Sequence, residues 1–286
     1  MKNFIRGLFS FKNVLLILLP IIFVYHTAFA AVTFHPTLSA GTNYTDNIDL
    51  TPKNEEHDFI TTVSPTIDIG RTGQLSSLSI LYAPTYANYL RFPENNTFRH
   101  NAKISGSRQI TRNTEIGFTD NYMYTEEPLY ADEASIAEID TTVRQGRSPY
   151  YSNTATLTAI NRLGTNDEIK LGYSYYVLKG RGTDIEDREQ HTPNMLINHW
   201  IIPHRFGTQS EISYTKRSFD DSENYDDISA RLRLTKRFNP HFDIYAEYTH
   251  EFTDYVGEGE DYQVYRPTVG FTWDEYSNSN FSGSFG

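Results

Sequence analysis

The connections in this chain are alternately long and short. From about residue 31 to the end, segments of alternating apolar and polar residues follow one another. The long, mostly acidic connections lie at 46–58, 90–97, 125–150, 180–192, 219–226 and 256–261. The short ones lie at 71–74, 111–114, 163–167, 203–206 and 238–241. Tight turns on one side of an antiparallel sheet and longer loops on the other are typical of up-and-down barrels that cross a membrane.

Within the segments, the side chains alternate with the period of two that marks a β-strand. In 226–237, Leu232 and Leu234 share one face, and Arg231 and Arg233 share the other. Many segments reach about ten residues, as a tilted membrane strand requires, whereas strands of soluble proteins usually have about five or six. We therefore expect the apolar face to contact lipid and the polar face to line the lumen.

The predicted fold class is an all-β, antiparallel, up-and-down transmembrane β-barrel. About twelve strands are predicted, and a thirteenth starts near 278. The twelve lie at 32–45, 59–70, 74–89, 97–110, 114–124, 150–161, 167–178, 192–202, 206–218, 226–237, 241–254 and 261–273. Because single-chain barrels usually have an even strand number, there are two alternatives. Either about twelve strands close with a stub, or the sequence is a fragment of a barrel of about fourteen to sixteen strands, which we favour.

Residues 1–30 have the features of a secretory signal peptide. Lys2, Arg6 and Lys12 precede the apolar run 14–24, and 28–30 reads Ala-Phe-Ala, which predicts cleavage after Ala30. A retained membrane helix is the alternative, but the run is shorter than the roughly 20 residues of a span. The barrel domain is then 31–286.

Charge and cysteine content exclude several classes of function. The net charge is −11, and cleavage removes three basic residues and no acidic one, leaving about −14. A nucleic-acid partner is therefore excluded, because such binding requires a basic surface. With no cysteine, disulfides and thiolate metal sites are excluded as well.

Segments 36–53 and 58–65 resemble the opening hairpin of β-barrel porins of the porin 2 type, and 44–50, Tyr-Thr-Asp-Asn-Ile-Asp-Leu, is the most distinctive part. These outer-membrane proteins are often associated with exopolysaccharide and protein-sorting export systems. The resemblance implies location in the outer membrane of a Gram-negative cell and a link to surface polysaccharide. It provides no catalytic residues.

Charged residues on the predicted lumen face are the candidate pore-lining residues, because rings of charge select the solutes that pass a pore. They are Lys103, Glu115, Glu168, Lys170, Arg231, Arg233, Glu247 and Arg266. The turn at Asn239-Pro240 predicts that Glu247 lies across from Arg231 or Arg233. The alternative is that these charges only neutralise one another inside the barrel.

No metal, cofactor or catalytic site is predicted. The acidic loops 184–189, 219–227 and 257–261 carry oxygen ligands suited to Ca²⁺ or Mg²⁺, but none has EF-hand spacing. No Gly-Xaa-Ser-Xaa-Gly motif marks a hydrolase nucleophile. An outer-membrane hydrolase is therefore only a third alternative.

Two further patterns concern aromatic residues and prolines. Aromatic residues predict belts at the two membrane interfaces. Trp200, Phe206, Phe238, Phe242 and Trp273 lie near the short turns, and Tyr86, Tyr89, Tyr122, Tyr124, Tyr150, Tyr175, Tyr214, Phe252 and Tyr262 lie near the loops. Four Pro-Thr pairs inside strands indicate either bulges or a kinked hairpin repeat, because proline removes a ladder hydrogen bond. The pairs start at Pro36, Pro65, Pro84 and Pro267.

The function predicted from the sequence is a porin-like outer-membrane channel that passes small solutes or supports export of surface polysaccharide. The alternative is a non-conducting barrel that scaffolds an envelope export complex through its acidic loops. The expected partners are outer-membrane lipid, lipopolysaccharide and the polysaccharide-export machinery.

Overall fold

A computed structural model describes residues 31–49, 54–127, 148–164, 166–180, 185–257, 259–276 and 279–285. The predicted signal peptide, 1–30, and most of the longest predicted loop lie outside the described residues.

The described chain forms one antiparallel sheet of thirteen strands, in which each strand pairs with the next in sequence. The strands are β1 (Ala31–Thr45), β2 (Asp58–Thr72), β3 (Ser76–Tyr89), β4 (Thr97–Gln109), β5 (Thr114–Thr125), β6 (Tyr150–Arg162), β7 (Glu168–Gly180), β8 (Arg188–Ile202), β9 (Phe206–Phe219), β10 (Tyr225–Asn239), β11 (Phe242–Tyr255), β12 (Tyr262–Tyr276) and β13 (Ser279–Phe285). A single-turn 3₁₀ helix, Pro93–Asn95, lies between β3 and β4. All twelve predicted strands and the start of the thirteenth are confirmed.

Strand β8 begins four residues earlier than predicted. Residues Arg188 to His191 pair with both β7 and β9. The predicted start at 192 was wrong because the charged residues before it suggested a loop. In the structure, the strands on both sides form backbone hydrogen bonds with these residues.

The connections differ in length between the two ends of the sheet. At one end, which we call the turn side, the connections are two to five residues long. At the other end, the loop side, they are five to twenty-four residues long. The predicted asymmetry is therefore confirmed.

The two outermost strands each have one partner. Within the described residues, β1 pairs only with β2, and β13 only with β12. Both run from the turn side to the loop side, so direct pairing between them would be parallel. Antiparallel closure needs an even number of strands, and closure of the ring stays a prediction.

The apolar side chains of the sheet are more exposed than the polar ones, whereas in a soluble protein the apolar side chains are the more buried. Along β2 the apolar residues Val63, Ile67 and Ile69 are exposed, whereas Ser64 and Asp68 between them are half-buried. The same face carries exposed apolar side chains on the other strands, for example Leu38 at 73%. We call this the apolar face and the other the polar face.

The prolines do not lie at bulges. Pro65 of β2 lies across from Pro84 of β3, and the ladder is interrupted there without a change of register. The hydroxyl of Ser64 donates to the carbonyl of Pro84 (3.1 Å) and accepts from Thr85 (2.8 Å). Side chains thus replace ladder bonds that proline cannot form. Register shifts in the described sheet occur only near strand ends, such as Trp200/Ile202.

Several aromatic residues predicted for the interface belts lie on the polar face instead. Tyr89 and Tyr150 are buried at the loop side, each in a small apolar cluster that includes a loop isoleucine, Ile48 or Ile185. Trp200 packs over Gly207 on the polar face, with the Arg237 guanidinium 4.9 Å from its ring. The belt prediction was wrong for these residues because distance from a turn does not tell which face a residue occupies.

Candidate functional site

Seven of the eight predicted site residues fall in two adjacent rows on the polar face. A row here is a set of side chains directly opposite one another on successive strands. The first row runs Glu115, Ile160, Lys170, Leu196, Glu211, Arg231, Thr249, Arg266. The second runs Arg162, Glu168, Asn198, Gln209, Arg233, Glu247, Thr268.

We call the charged members of these rows, together with Glu251, the charged belt. Its cations are Arg162, Lys170, Arg231, Arg233 and Arg266, and its anions are Glu115, Glu168, Glu211, Glu247 and Glu251. The belt therefore contains as many cations as anions, and opposite charges face each other directly in the pairs Arg162/Glu168, Glu211/Arg231 and Arg233/Glu247. Cross-strand pairs of opposite charge favour this register over a shifted one.

The densest part of the charged belt lies on β9 to β12. Glu247 Oε2 is 3.8 Å from Arg231 Nη1 and 3.8 Å from Arg233 Nε. Arg231 also forms a short ion pair with Glu211 on β9. The prediction that Glu247 lies across from Arg231 or Arg233 is confirmed: the register places it opposite Arg233.

Aromatic stacking and a second ion pair complete this group. The Arg233 guanidinium lies 3.6 Å from the centre of the Tyr245 ring, and Arg266 forms a short ion pair with Glu251. Glu211 and Glu251 were missed by the sequence analysis, although alternation with Gln209 and Ser213 puts Glu211 on the polar face.

A cavity of about 360 Å³ opens between these side chains. It is lined by Glu211, Ser213, Ser229, Arg231, Glu247, Thr249, Glu251, Arg266 and Thr268. Because four successive strands contribute to its wall, the polar face is concave here. The lining contains carboxylates, guanidiniums and hydroxyls, which suits water and polar solutes.

Arg162 joins two predicted residues at the turn side. Its guanidinium is 3.5 Å from Glu115 and 4.0 Å from Glu168. The side chain of Arg162 is 48% exposed, so solvent weakens both pairs.

Two predicted cations have no salt-bridge partner in the part of the chain that the structure describes. Lys103 and Lys170 lie on the polar face, and neither forms a salt bridge within the described residues. Lys103 belongs to a separate row nearer the loop side, opposite Asn121. These two ammonium groups therefore act as fixed positive charges on the polar face.

A buried ion pair lies on the polar face at the loop side. Arg99 donates to Glu126 through Nε (3.0 Å) and Nη2 (2.6 Å), and Tyr89 Oη donates to Glu126 Oε1 (2.7 Å). Glu126 is only 3% exposed. This pair fixes the end of β5 at the start of the longest loop.

Two of the described loop carboxylates, Glu186 and Glu223, bind groups of neighbouring loops. Glu186 accepts from the backbone N–H of Asp221 (3.0 Å) and from the Ser222 hydroxyl (2.8 Å). Glu223 accepts from the N–H of Gly259 (2.8 Å). These acidic residues therefore tie the loops between β7 and β12 together. Among the described residues, no group of three or more His, Asp or Glu side chains is arranged to hold a metal ion.

In the turn before β7, Asp167 accepts hydrogen bonds from the backbone N–H of Trp200 (2.9 Å) and from His199 Nδ1 (3.0 Å). The bond from the Trp200 N–H, followed by that from His199, holds the pKa of Asp167 below its ordinary value. The carboxylate thus links one turn to the next.

In the part of the chain that the structure describes, no helix has the length and apolarity needed to cross a membrane.

No protein-family model matches this sequence, and no curated protein matches it. Solved structures to which this chain is similar include a loop-L8 deletion mutant of OmpT, an outer membrane protein of Vibrio cholerae, with 9% identity and a TM-score of 0.45 over 85% of this chain and 99% of that chain. The Pseudomonas putida toluene transporter TodX has 9% identity and a TM-score of 0.36 over 87% and 80%. A deltaS2 mutant of the TodX monoaromatic hydrocarbon channel has 10% identity and a TM-score of 0.41 over 88% and 82%. Identities and scores this low do not assign a family or a function to this chain.

Proposed function

We propose that this chain is an outer-membrane β-barrel channel whose polar face lines an aqueous path for small solutes. The observation that carries the proposal is the exposure pattern, with large apolar side chains exposed on one face and charged side chains half-buried on the other. In water that arrangement would leave an apolar surface far larger than soluble monomers expose. In a bilayer the apolar face contacts hydrocarbon, and the concave polar face contains water.

The charged belt is the candidate selectivity region of this channel. It presents both signs of charge around a polar cavity, and Lys103, which lies outside the belt, adds one further positive charge on the polar face. Charges that line a constriction tune which ions pass. A link to surface polysaccharide rests only on the resemblance of 36–53 and 58–65 to porin 2 proteins.

The experiment is to recover the processed chain from outer membranes and to record currents in planar bilayers. We expect recovery only with detergent, followed by steady open-channel steps. A freely soluble periplasmic monomer would refute the membrane assignment, and a detergent-extracted but silent protein would refute the channel.

A non-conducting scaffold is the second candidate, and a specific observation favours it. Buried clusters around Tyr89 and Tyr150, with the Arg99–Glu126 pair, occupy the polar face at the loop side. Side chains packed on the polar face in this way would narrow the water-filled interior of the proposed barrel. The linked acidic loops would provide a surface that partner proteins could bind. Silence in the bilayer, with the protein correctly inserted, would support this candidate.

A further inference from the structure

A group of arginine and tyrosine side chains lies on the polar face at the loop side, apart from the charged belt. One row brings together Tyr176, Gln190, Arg217, Tyr225 and Tyr255 from the five strands β7 to β11. The register places Arg188 of β8 next to this row, opposite Leu178 and Phe219. Five strands thus bring two guanidiniums and three tyrosines together in one region of the polar face.

Each guanidinium lies over an aromatic ring. The Arg188 guanidinium is 5.1 Å from the centre of the Tyr176 ring, and that of Arg217 is 5.0 Å from the centre of the Tyr225 ring. Arg217 Nε also donates to Gln190 Oε1 at 3.2 Å. Stacking of this kind holds a guanidinium in a fixed orientation while its edge can still bind an oxyanion.

The group carries an uncompensated positive charge. Arg217 forms an ion pair with Asp227, and Arg188 forms no salt bridge within the described residues. Arg188 and Arg217 lie on the same face of adjacent strands, in neighbouring positions of the β8–β9 pairing, so their like charges repel. An anion bound between them would remove this repulsion, and guanidinium–carboxylate bonds are among the stronger hydrogen bonds in proteins.

An exposed aromatic ring lies on the same face, near Tyr255. Tyr262, at the start of β12, is 51% exposed and lies opposite Thr253 of β11, two residues from Tyr255 along that strand. Tyr255 is half-buried, with its ring 5.1 Å from that of Tyr225. An exposed ring on the same face as two guanidiniums suits a ligand that carries its charge on a ring.

We propose that Arg188 and Arg217, with Tyr255 and Tyr262, bind a carboxylate carried on a ring, either a sugar acid or an aromatic acid, at the loop-side entrance. This assignment rests on the proposed function only for its location at a channel entrance. Binding itself requires the polar face alone, so it can be measured without a conducting pore.

The test is saturation-transfer difference NMR on the full chain in detergent micelles, with sodium glucuronate, benzoate, acetate and glucose as probes. We expect glucuronate or benzoate to bind more tightly than acetate or glucose. Arg188→Gln and Arg217→Gln should each weaken that binding about tenfold or more, because each removes a charged hydrogen-bond donor. Lys216→Gln removes the same charge one residue away on the apolar face and should leave binding unchanged.

Tighter binding of glucuronate would identify the ligand class as sugar acids, and tighter binding of benzoate would identify it as aromatic acids. Equal binding of acetate would overturn the role of the ring, and unchanged binding in both arginine variants would overturn the site. If those variants do not fold, Tyr262→Ala, which alters an exposed ring, should still weaken the ring acids and not acetate. A silent bilayer with intact binding refutes only the channel, and a conducting protein that binds no ring acid refutes only this site.

Discussion

Arg233 of β10 lies directly opposite Glu247 of β11, with its Nε atom 3.8 Å from Glu247 Oε2. Arg231, two residues earlier on the same face, is equally close to this carboxylate. One glutamate is therefore shared by two arginines, and Arg231 has a second acidic partner in Glu211.

This arrangement predicts the ion selectivity of the channel. Replacing both Arg231 and Arg233 with Glu should shift the permeability ratio several-fold toward cations, because one charge at about 4 Å contributes about 1 kcal/mol even in water. Reversal potentials in a KCl gradient measure the shift. Arg205→Glu makes the same type of change in an exposed turn and should have little effect. An unchanged reversal potential in the double variant would mean that these arginines do not line the constriction.

Removing one partner of the Arg99–Glu126 pair should strongly destabilise the loop side. Arg99→Ala leaves a carboxylate that is 3% exposed without its cation, and breaking a buried pair in this way costs about 3–5 kcal/mol. The free energy of unfolding in urea, measured by tyrosine fluorescence in detergent or vesicles, checks this value.

Arg162→Ala is the matched control for that substitution. Arg162 also bridges two glutamates but is 48% exposed, so its loss should cost less than about 1 kcal/mol. Equal costs for the two variants would contradict the assignment of Glu126 to a buried environment.

The charge of Asp120 should lower the stability of the folded protein. It lies near the middle of β5 on the apolar face, opposite Ile104 and Ala155. Among the described residues, its carboxylate accepts a hydrogen bond from the amide of Asn153 alone (2.6 Å). If this face contacts hydrocarbon, Asp120→Asn should raise the free energy of unfolding by up to about 2 kcal/mol, since charge is costly there.

Asp227→Asn removes a carboxylate charge from the polar face, where we expect the opposite effect on stability. Asp227 pairs with Arg217 and accepts from the Thr253 hydroxyl (2.6 Å), so its neutralisation should lower stability. Urea unfolding of both variants in the same vesicles makes the comparison. A loss of stability in Asp120→Asn as large as in Asp227→Asn would argue against lipid contact at Asp120.

The link between the turns should depend on pH. Because the pKa of Asp167 is lowered in the folded protein, its contribution is complete above the unfolded pKa of about 4 and is lost as the pH falls through the lower folded value. We expect the protection of the Trp200 amide from deuterium exchange, corrected for the intrinsic rate, to fall at low pH. In Asp167→Ala, exchange should be fast at every pH after correction for the intrinsic rate. Unaltered protection in that variant would disprove the link.

Much of this fold could be predicted from the sequence. Alternation along 226–237 predicts both strand β10 and the face that each of its residues occupies, because side chains on a strand point to opposite faces in turn. The short turn at Asn239-Pro240 then fixes which residues of β11 lie near Arg231 and Arg233. Local geometry is sufficient for both inferences.

Only the tertiary structure decided how residues far apart in sequence meet. Glu211 joins Arg231, and Tyr176 shares a row with Tyr255, through the register of successive strand pairs. Register depends on hydrogen bonds and packing along whole strands, and a slip of one residue would exchange the two faces. The sequence therefore determined the strands and their two faces, whereas the pairing of those strands decided which charges neutralise one another and where the arginines and tyrosines converge.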